Sequence, residues 1–314
     1  MRSLLKRIAA MLAVLALLAW VGWRAWHDVG RIQWAELEVS PRLIALSVLC
    51  VVVAFFWQGL LWVVMIRGLG YTIGAAVGMR AAVVSLLGNY VPGKVVILIF
   101  RAEIAGRYGV PKVPVAGSVV LETLLRNLVA ALLAGLGLYH MGVGQSYMAA
   151  LAMMLLVSAV VAHPAVFNRL GNFVLRTLGR PELPRELGAG RIAALLAGYL
   201  VFWALYTSGF YLLTRGTLGA PLWDFPGLAI SLMISQIGST LTVFAPVGLG
   251  VSDATLAGVL ALTGAVPGPG VLALVARVWR TLAEMSAIGL AWVLPAGVPG
   301  PKSLEEAEAP AERP

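Results

Sequence analysis

The chain has 314 residues, of which 60% are hydrophobic and 12% charged, and its mean hydropathy is +0.91. A soluble domain of average composition is about 25% charged, so little soluble mass is left and the chain reads as a membrane protein. Its net charge of +9 is spread over short loops between apolar runs, which fits positive-inside topology and argues against nucleic-acid binding. The single cysteine, Cys50, lies in an apolar run and the three histidines are scattered. They leave no disulfide framework and no metal or cofactor site to expect.

Arg2, Lys6 and Arg7 precede the apolar run Ile8 to Trp23. No small-x-small cleavage site follows, and the run ends in WVGWRAW, suited to the interfacial aromatic belt. An anchor helix over 8–26 is therefore expected instead of a removed signal peptide. Residues 27–41 read as an external loop. Leu43 to Ile66 is long enough to span, because about 20 residues at 1.5 Å each cross the ~30 Å hydrocarbon core, and Arg67 returns the chain to the cytoplasm. Between Arg67 and Lys112 the apolar segments are interrupted by Arg80, Arg101 and Glu103.

A re-entrant hairpin fits that stretch better than full spans. Ala81 to Gly88 enters, Asn89 to Lys94 turns inside the protein, and Val95 to Gly106 returns. Non-helical backbone at that depth needs protein or a wet cavity around it. Pro92 lacks an N–H and disfavours helix before it, so Val91-Pro92-Gly93 predicts a helix end.

Val113 to Tyr139 then crosses outward and Tyr147 to Phe167 returns. Asn168 to Arg191 carries Arg169, Arg176, Arg180, Arg185 and Arg191 against Glu182 and Glu186, so it is the clearest cytoplasmic segment, with charge suited to anionic headgroups. Ile192 to Leu213 crosses outward. Leu228 to Ala261 is a second broken segment around Pro246, Gly248 and Gly250, and Val271 to Leu294 spans back. The Pro/Gly-rich, charged stretch 295–314 predicts a disordered cytoplasmic tail.

The expected fold is an all-α integral membrane domain over 1–294. It has about six transmembrane helices and two re-entrant hairpins, with both termini on the cytoplasmic side of the inner membrane. Two repeats, about 42–140 and 192–294, are suggested by spacing. Pro92 and Arg126 are 34 positions apart, as are Pro246 and Arg280. Opposed broken hairpins are the arrangement of inverted-repeat transporters, whose half-helix ends meet near the midplane.

Arg126 falls roughly 20 Å into its span, with Glu122 one turn before it, and Glu284 follows Arg280 by four and Arg277 by seven. Ionisable groups at the bilayer centre cost roughly 2.5–3.5 kcal/mol each and usually face a cavity. Two readings are open. The arginines bind a phosphate through bidentate contacts, with Glu122 and Glu284 supporting them, or the i,i+4 pairs Glu122 with Arg126 and Arg280 with Glu284 are neutralised pairs that pin the broken helices. Lys94 and Arg101 flank the first turn and either meet a headgroup or snorkel to the interface. Gly248 and Gly250 allow close backbone approach in the second turn. Asp253 is expected to cap the returning helix. Ser231, Ser235 and Ser239 share one helix face, as a packing surface or a polar track.

NYVPGKVVILIFRAEIAGRYGV, LETLLRN and FAPVGLGVSDATLAGVL together resemble the flippase-like family named after the transmembrane region of lysylphosphatidylglycerol synthase. The likeness covers about Arg42 to Leu294. Asn89, Pro92, Gly93, Arg101, Glu122, Arg126, Pro246, Gly248, Gly250 and Arg280 match its pattern. Val95, Val96 and Ile97 stand where many members have a glycine pair, and Asp253 stands where they have glutamate. The resemblance implies a lipid-translocating domain for aminoacylated phospholipids, glycolipids or isoprenoid-type lipids. It does not imply lipid synthesis.

The expected function is translocation of an anionic, phosphate-bearing lipid with no enzymatic step. The alternative is a non-transporting membrane partner of a lipid-modifying or glycosyl-transferring enzyme. A lipid-active enzyme using Glu122 or Asp253 is disfavoured, because no nucleophile and base group together. No GxxxxGK[ST] loop is present, so transport would draw on a gradient or on the membrane potential.

Overall fold

The computed structural model describes residues 39–90, 95–142, 145–241, 251–266 and 268–294. The expected anchor over 8–26, the tail 295–314, and the turns holding Pro92, Gly93, Lys94, Pro246, Gly248 and Gly250 lie outside the described residues. All regular structure among the described residues is helical, and the protein is an all-α membrane protein.

α1 (Pro41–Gly68), α4 (Lys112–Met141) and α7 (Ala189–Leu218) are each long and apolar enough to cross a bilayer. α1 starts with Pro41, whose missing N–H costs nothing at the first position of a helix. α4 and α7 both end at a left-handed glycine, Gly142 (φ 64°) and Gly219 (φ 67°), where a Cβ would be strained. α10 (Pro269–Val293) has 25 residues, about 37 Å of helix, but carries Arg277, Arg280 and Glu284 along its length.

The first broken segment is a hairpin of α2 (Ala75–Val84), a 3-10 helix (Ser85–Tyr90) and α3 (Val95–Gly106). The second is α8 (Phe225–Leu241) and α9 (Val251–Thr263), which pack against one another. The succession of long helix, hairpin and charged helix therefore runs twice, as α1 to α4 and as α7 to α10.

Between these halves lie α5 (Gln145–Ala162) and α6 (Pro164–Thr177). The sequence predicts one span from Tyr147 to Phe167, and here the structure differs. α6 turns away from α5 by 66°. Pro164 has no N–H to donate and drives His163 out of the helical region, to φ −60° and ψ 129°. If α5 and α6 are counted as one bent span, the candidate spans among the described residues rise from three to four, where five of the six expected spans fall.

The centre of the molecule is the antiparallel contact of α1 with α7. Ser40 N–H donates to Gly216 O at 2.9 Å, tying the start of one helix to the end of the other. A Cβ on Gly209 would lie 2.8 Å from the Val51 side chain and 3.0 Å from Ser47 O, so the two backbones approach closely because glycine stands there. Four indoles fasten the long helices through single N–H bonds. Trp57 donates to Gly198 O (2.8 Å), Trp62 to Ser118 Oγ (2.9 Å), Trp203 to Arg126 O (3.0 Å) and Trp279 to Ser47 Oγ (3.0 Å). Phe55, Phe202, Tyr206, Phe210 and Trp279 complete an aromatic cluster with ring centroids 5.5–6.1 Å apart. It holds α1, α7 and α10 rigidly around the space described next.

Candidate functional site

Between the hairpins and the long helices lies a cavity of about 360 Å³, walled by Gln58 of α1, Asn89, Arg101 of α3, Glu122 and Arg126 of α4, Tyr206 of α7, Gln236 of α8, and Arg280 and Glu284 of α10. A smaller polar space of about 100 Å³ adjoins it on the side of α9 and shares Asn89, Tyr206, Gln236, Ser239, Arg280 and Glu284. Charged side chains from both halves thus converge on one volume.

The i,i+4 pairing expected for Glu122 and Arg126 does not form. Glu122 Oε2 pairs with Arg101 Nη1, and its Oε1 accepts from Gln58 Nε2. Arg101 also donates from Nε and Nη2 to Ser85 Oγ (3.3 and 3.2 Å), and its guanidinium lies 5.0 Å from the centre of the Trp62 ring. At 2% exposure Arg101 does not snorkel. Its hairpin carries it inward, where the Glu122 carboxylate and a serine oxygen replace water. A buried ion is tolerated when its hydrogen-bonding positions are filled in this way.

Arg126 is consequently left without Glu122 as a partner. Its guanidinium, half-buried in the cavity wall, has no hydrogen-bond or ion-pair partner among the described residues. Its own backbone carbonyl accepts the Trp203 indole. That bond locks the helix to α7 and leaves the side chain to point where the cavity permits.

Arg280 behaves differently although it occupies the matching place in the second half. Its Nε donates to Glu284 Oε1 at 3.0 Å, as i,i+4 spacing predicts. Glu284 also accepts from Asn89 Nδ2 (3.2 Å) and Tyr90 OH (2.7 Å), so the tip of the first hairpin is tied to α10. Neither Nη of Arg280 has a partner among the described residues.

The remaining expected cations are less available. Arg277 pairs with Asp253, in the first turn of α9, so Asp253 has an ionic role beyond the cap expected of it. Lys94 lies outside the described residues. Ser235 Oγ donates to Ser252 O (2.6 Å) and Ser231 Oγ to Gly227 O (2.7 Å), so these two serines serve helix packing, while Ser239 lines the cavity.

Chain positions 7 to 289 match the family described as the lysylphosphatidylglycerol synthase TM region. The chain belongs to that family. No curated protein matches it. Membership makes this a membrane protein related to lipid handling.

Several residues that line or brace this cavity are not marked out by the sequence. Gln58 was visible as a lone amide in the apolar run FFWQGLLW, and Ser85 as a hydroxyl 16 residues before Arg101. Tyr90 and Tyr206 carried no signal, because a tyrosine in a membrane helix ordinarily packs or marks an interface.

Proposed function

We propose that this protein is a lipid flippase of the bacterial inner membrane that holds a phosphate-bearing headgroup between Arg126 and Arg280 while the acyl chains stay in the bilayer. The observation that carries this reading is the free Arg126 guanidinium in the cavity wall, on the same volume as the free Nη groups of Arg280. Arg101, Glu122, Glu284 and Asn89 are already engaged with one another or with Arg280, and serve to hold the two arginines' surroundings in place.

Size supports the same occupant. Small-molecule pockets run from about 300 to 1,000 Å³, so about 360 Å³ accommodates a phosphorylated headgroup and excludes its chains. Arginine suits the task because its planar fork meets two phosphate oxygens at once. In the inverted-repeat reading the two hairpins reach the cavity from opposite faces, and rocking of one half against the other exposes it to each leaflet in turn. An inside-negative potential of 100 mV favours outward movement of one negative charge by about 2.3 kcal/mol. That bias needs no nucleotide and no catalytic step.

The test is movement of fluorescent phosphatidylglycerol between leaflets in liposomes containing this protein alone. Hydrogen bonds to charged groups contribute about 1.5–3 kcal/mol, so Arg126→Gln should slow movement roughly ten- to hundredfold. Arg126→Lys keeps the charge without the fork and should fall between. Since Glu122 is already paired with Arg101, the single substitution leaves no carboxylate stranded, and lost transport is not confused with lost folding. Wild-type movement by a folded Arg126→Gln protein would refute the site. No movement by the wild-type protein on its own would favour the non-transporting partner of a lipid-modifying enzyme.

A further inference from the structure

Away from the cavity, α6 presents an apolar face that nothing among the described residues covers. One side of the helix is used internally, with Phe167, Asn168, Asn172 and Leu175 buried. Two asparagines on that side staple the following loop. Asn168 makes paired 3.1 Å bonds with Leu187, from Nδ2 to its carbonyl and from its N–H to Oδ1, and Asn172 Oδ1 accepts from Leu183 N–H at 3.1 Å. Arg185 N–H donates to Leu69 O at 3.2 Å, which fixes this shelf at the Arg67 end of α1.

Leu170, Phe173, Val174 and Leu178 lie on a second side, 48, 67, 44 and 57% exposed, at i, i+3, i+4 and i+8. Arg169 and Arg176, also exposed, border that stripe on its other flank. Arg176 is shared with Glu182 at 2.6 Å, and Arg169 has no partner among the described residues.

Two observations say what covers the stripe. α5 has 18 residues, about 27 Å of helix, so the bend at His163 falls near the edge of a ~30 Å hydrocarbon core. A helix leaving at 66° from that level runs along the surface of the bilayer. The charge complements that surface, since 168–191 holds five arginines against two glutamates. A helix that shows protein, acyl chain and headgroup three separate faces is built for the interface.

We propose that α6 lies in the headgroup layer on the side where α1 ends, with Leu170, Phe173, Val174 and Leu178 among the acyl chains and Arg169 and Arg176 on anionic phospholipid headgroups. This is a second lipid-binding surface, separate from the cavity and independent of whether the cavity transports.

The experiment places a single cysteine at Phe173→Cys, or at Arg169→Cys as the control, in a full-length Cys50→Ala background. Each is labelled with an environment-sensitive fluorophore and reconstituted in nanodiscs of phosphatidylcholine with and without phosphatidylglycerol. The probe at 173 should lose most of its emission to lipid bearing a nitroxide high on the acyl chain and little to aqueous iodide, and the probe at 169 should do the reverse. Near 173, nitroxide-phosphatidylglycerol should quench more than nitroxide-phosphatidylcholine. Arg169→Gln and Arg176→Gln should each lower that preference, by up to about fivefold. Iodide quenching at 173 without lipid quenching would overturn the proposal and make the stripe a dock for a soluble protein. Lipid quenching with no headgroup preference, unchanged in the arginine variants, would overturn the claim of anionic recognition.

Discussion

The two hairpins meet their long helices through ion pairs of opposite polarity. In the first half the hairpin supplies the cation, Arg101 of α3, and α4 supplies Glu122; in the second the hairpin supplies Asp253 of α9 and α10 supplies Arg277. Their surroundings differ as much as their signs. The Arg101 and Glu122 side chains are 3% and 4% exposed and have further bonds to Ser85 and Gln58, whereas Arg277 and Asp253 are 32% and 12% exposed and have one bond between them. Satisfying Glu122 from the hairpin also removes the natural partner of Arg126. The buried pair is thus a peg, and its by-product is an Arg126 guanidinium in the cavity wall with no partner among the described residues.

Four variants grade that contrast. Arg101→Gln should have the largest effect on stability, about 3–5 kcal/mol, because it leaves Glu122 charged in a buried site. The double change Arg101→Gln/Glu122→Gln should recover part of the loss. Both are read from the melting midpoint of the purified protein in detergent, and a double variant no better than the single one would show that the pair does not act as a unit. Asp253→Asn breaks the more exposed pair, where water screens Arg277, and should cost about 1 kcal/mol. A loss as large as that from Arg101→Gln would make the two hairpins equally pegged. Arg126→Gln should be smallest, within about 0.5 kcal/mol of wild type, although it has the largest expected effect on lipid movement. Appreciable destabilisation there would mean that Arg126 has a structural partner after all.

Reading charge spacing along one helix was right for Arg280 and Glu284 and wrong for Glu122 and Arg126, and the reason is competition. Four residues along a helix bring two side chains within reach. They do not rank that contact against one arriving from another element. Glu284 has no cation from a hairpin to claim it among the described residues, so it keeps its own helix neighbour and adds Asn89 and Tyr90. Glu122 meets Arg101, which stands 21 positions earlier and arrives by way of the α3 hairpin. The same limit applies to Gln58 and Ser85, whose polarity is visible in the sequence but whose partners are not.

Composition and apolar run length by themselves determined that this is an all-helical membrane protein, that α1, α4 and α7 are long enough to span, and that α4 and α10 carry charge at depth, because these properties follow from local chemistry and a fixed rise per residue. Proline placement pointed to a helix end near Pro92, but apolar run length carried one span from Tyr147 to Phe167 straight through Pro164, and the bend there came only with the tertiary structure. The Asn168 and Asn172 staples and the loop docked at Leu69 hold α6 outside the direction of α5. Which charges are paired and which is free was decided by tertiary structure alone. Low dielectric makes every buried charge seek its best available partner, and the partners available to Glu122 are brought together only when α1, α3 and α4 pack.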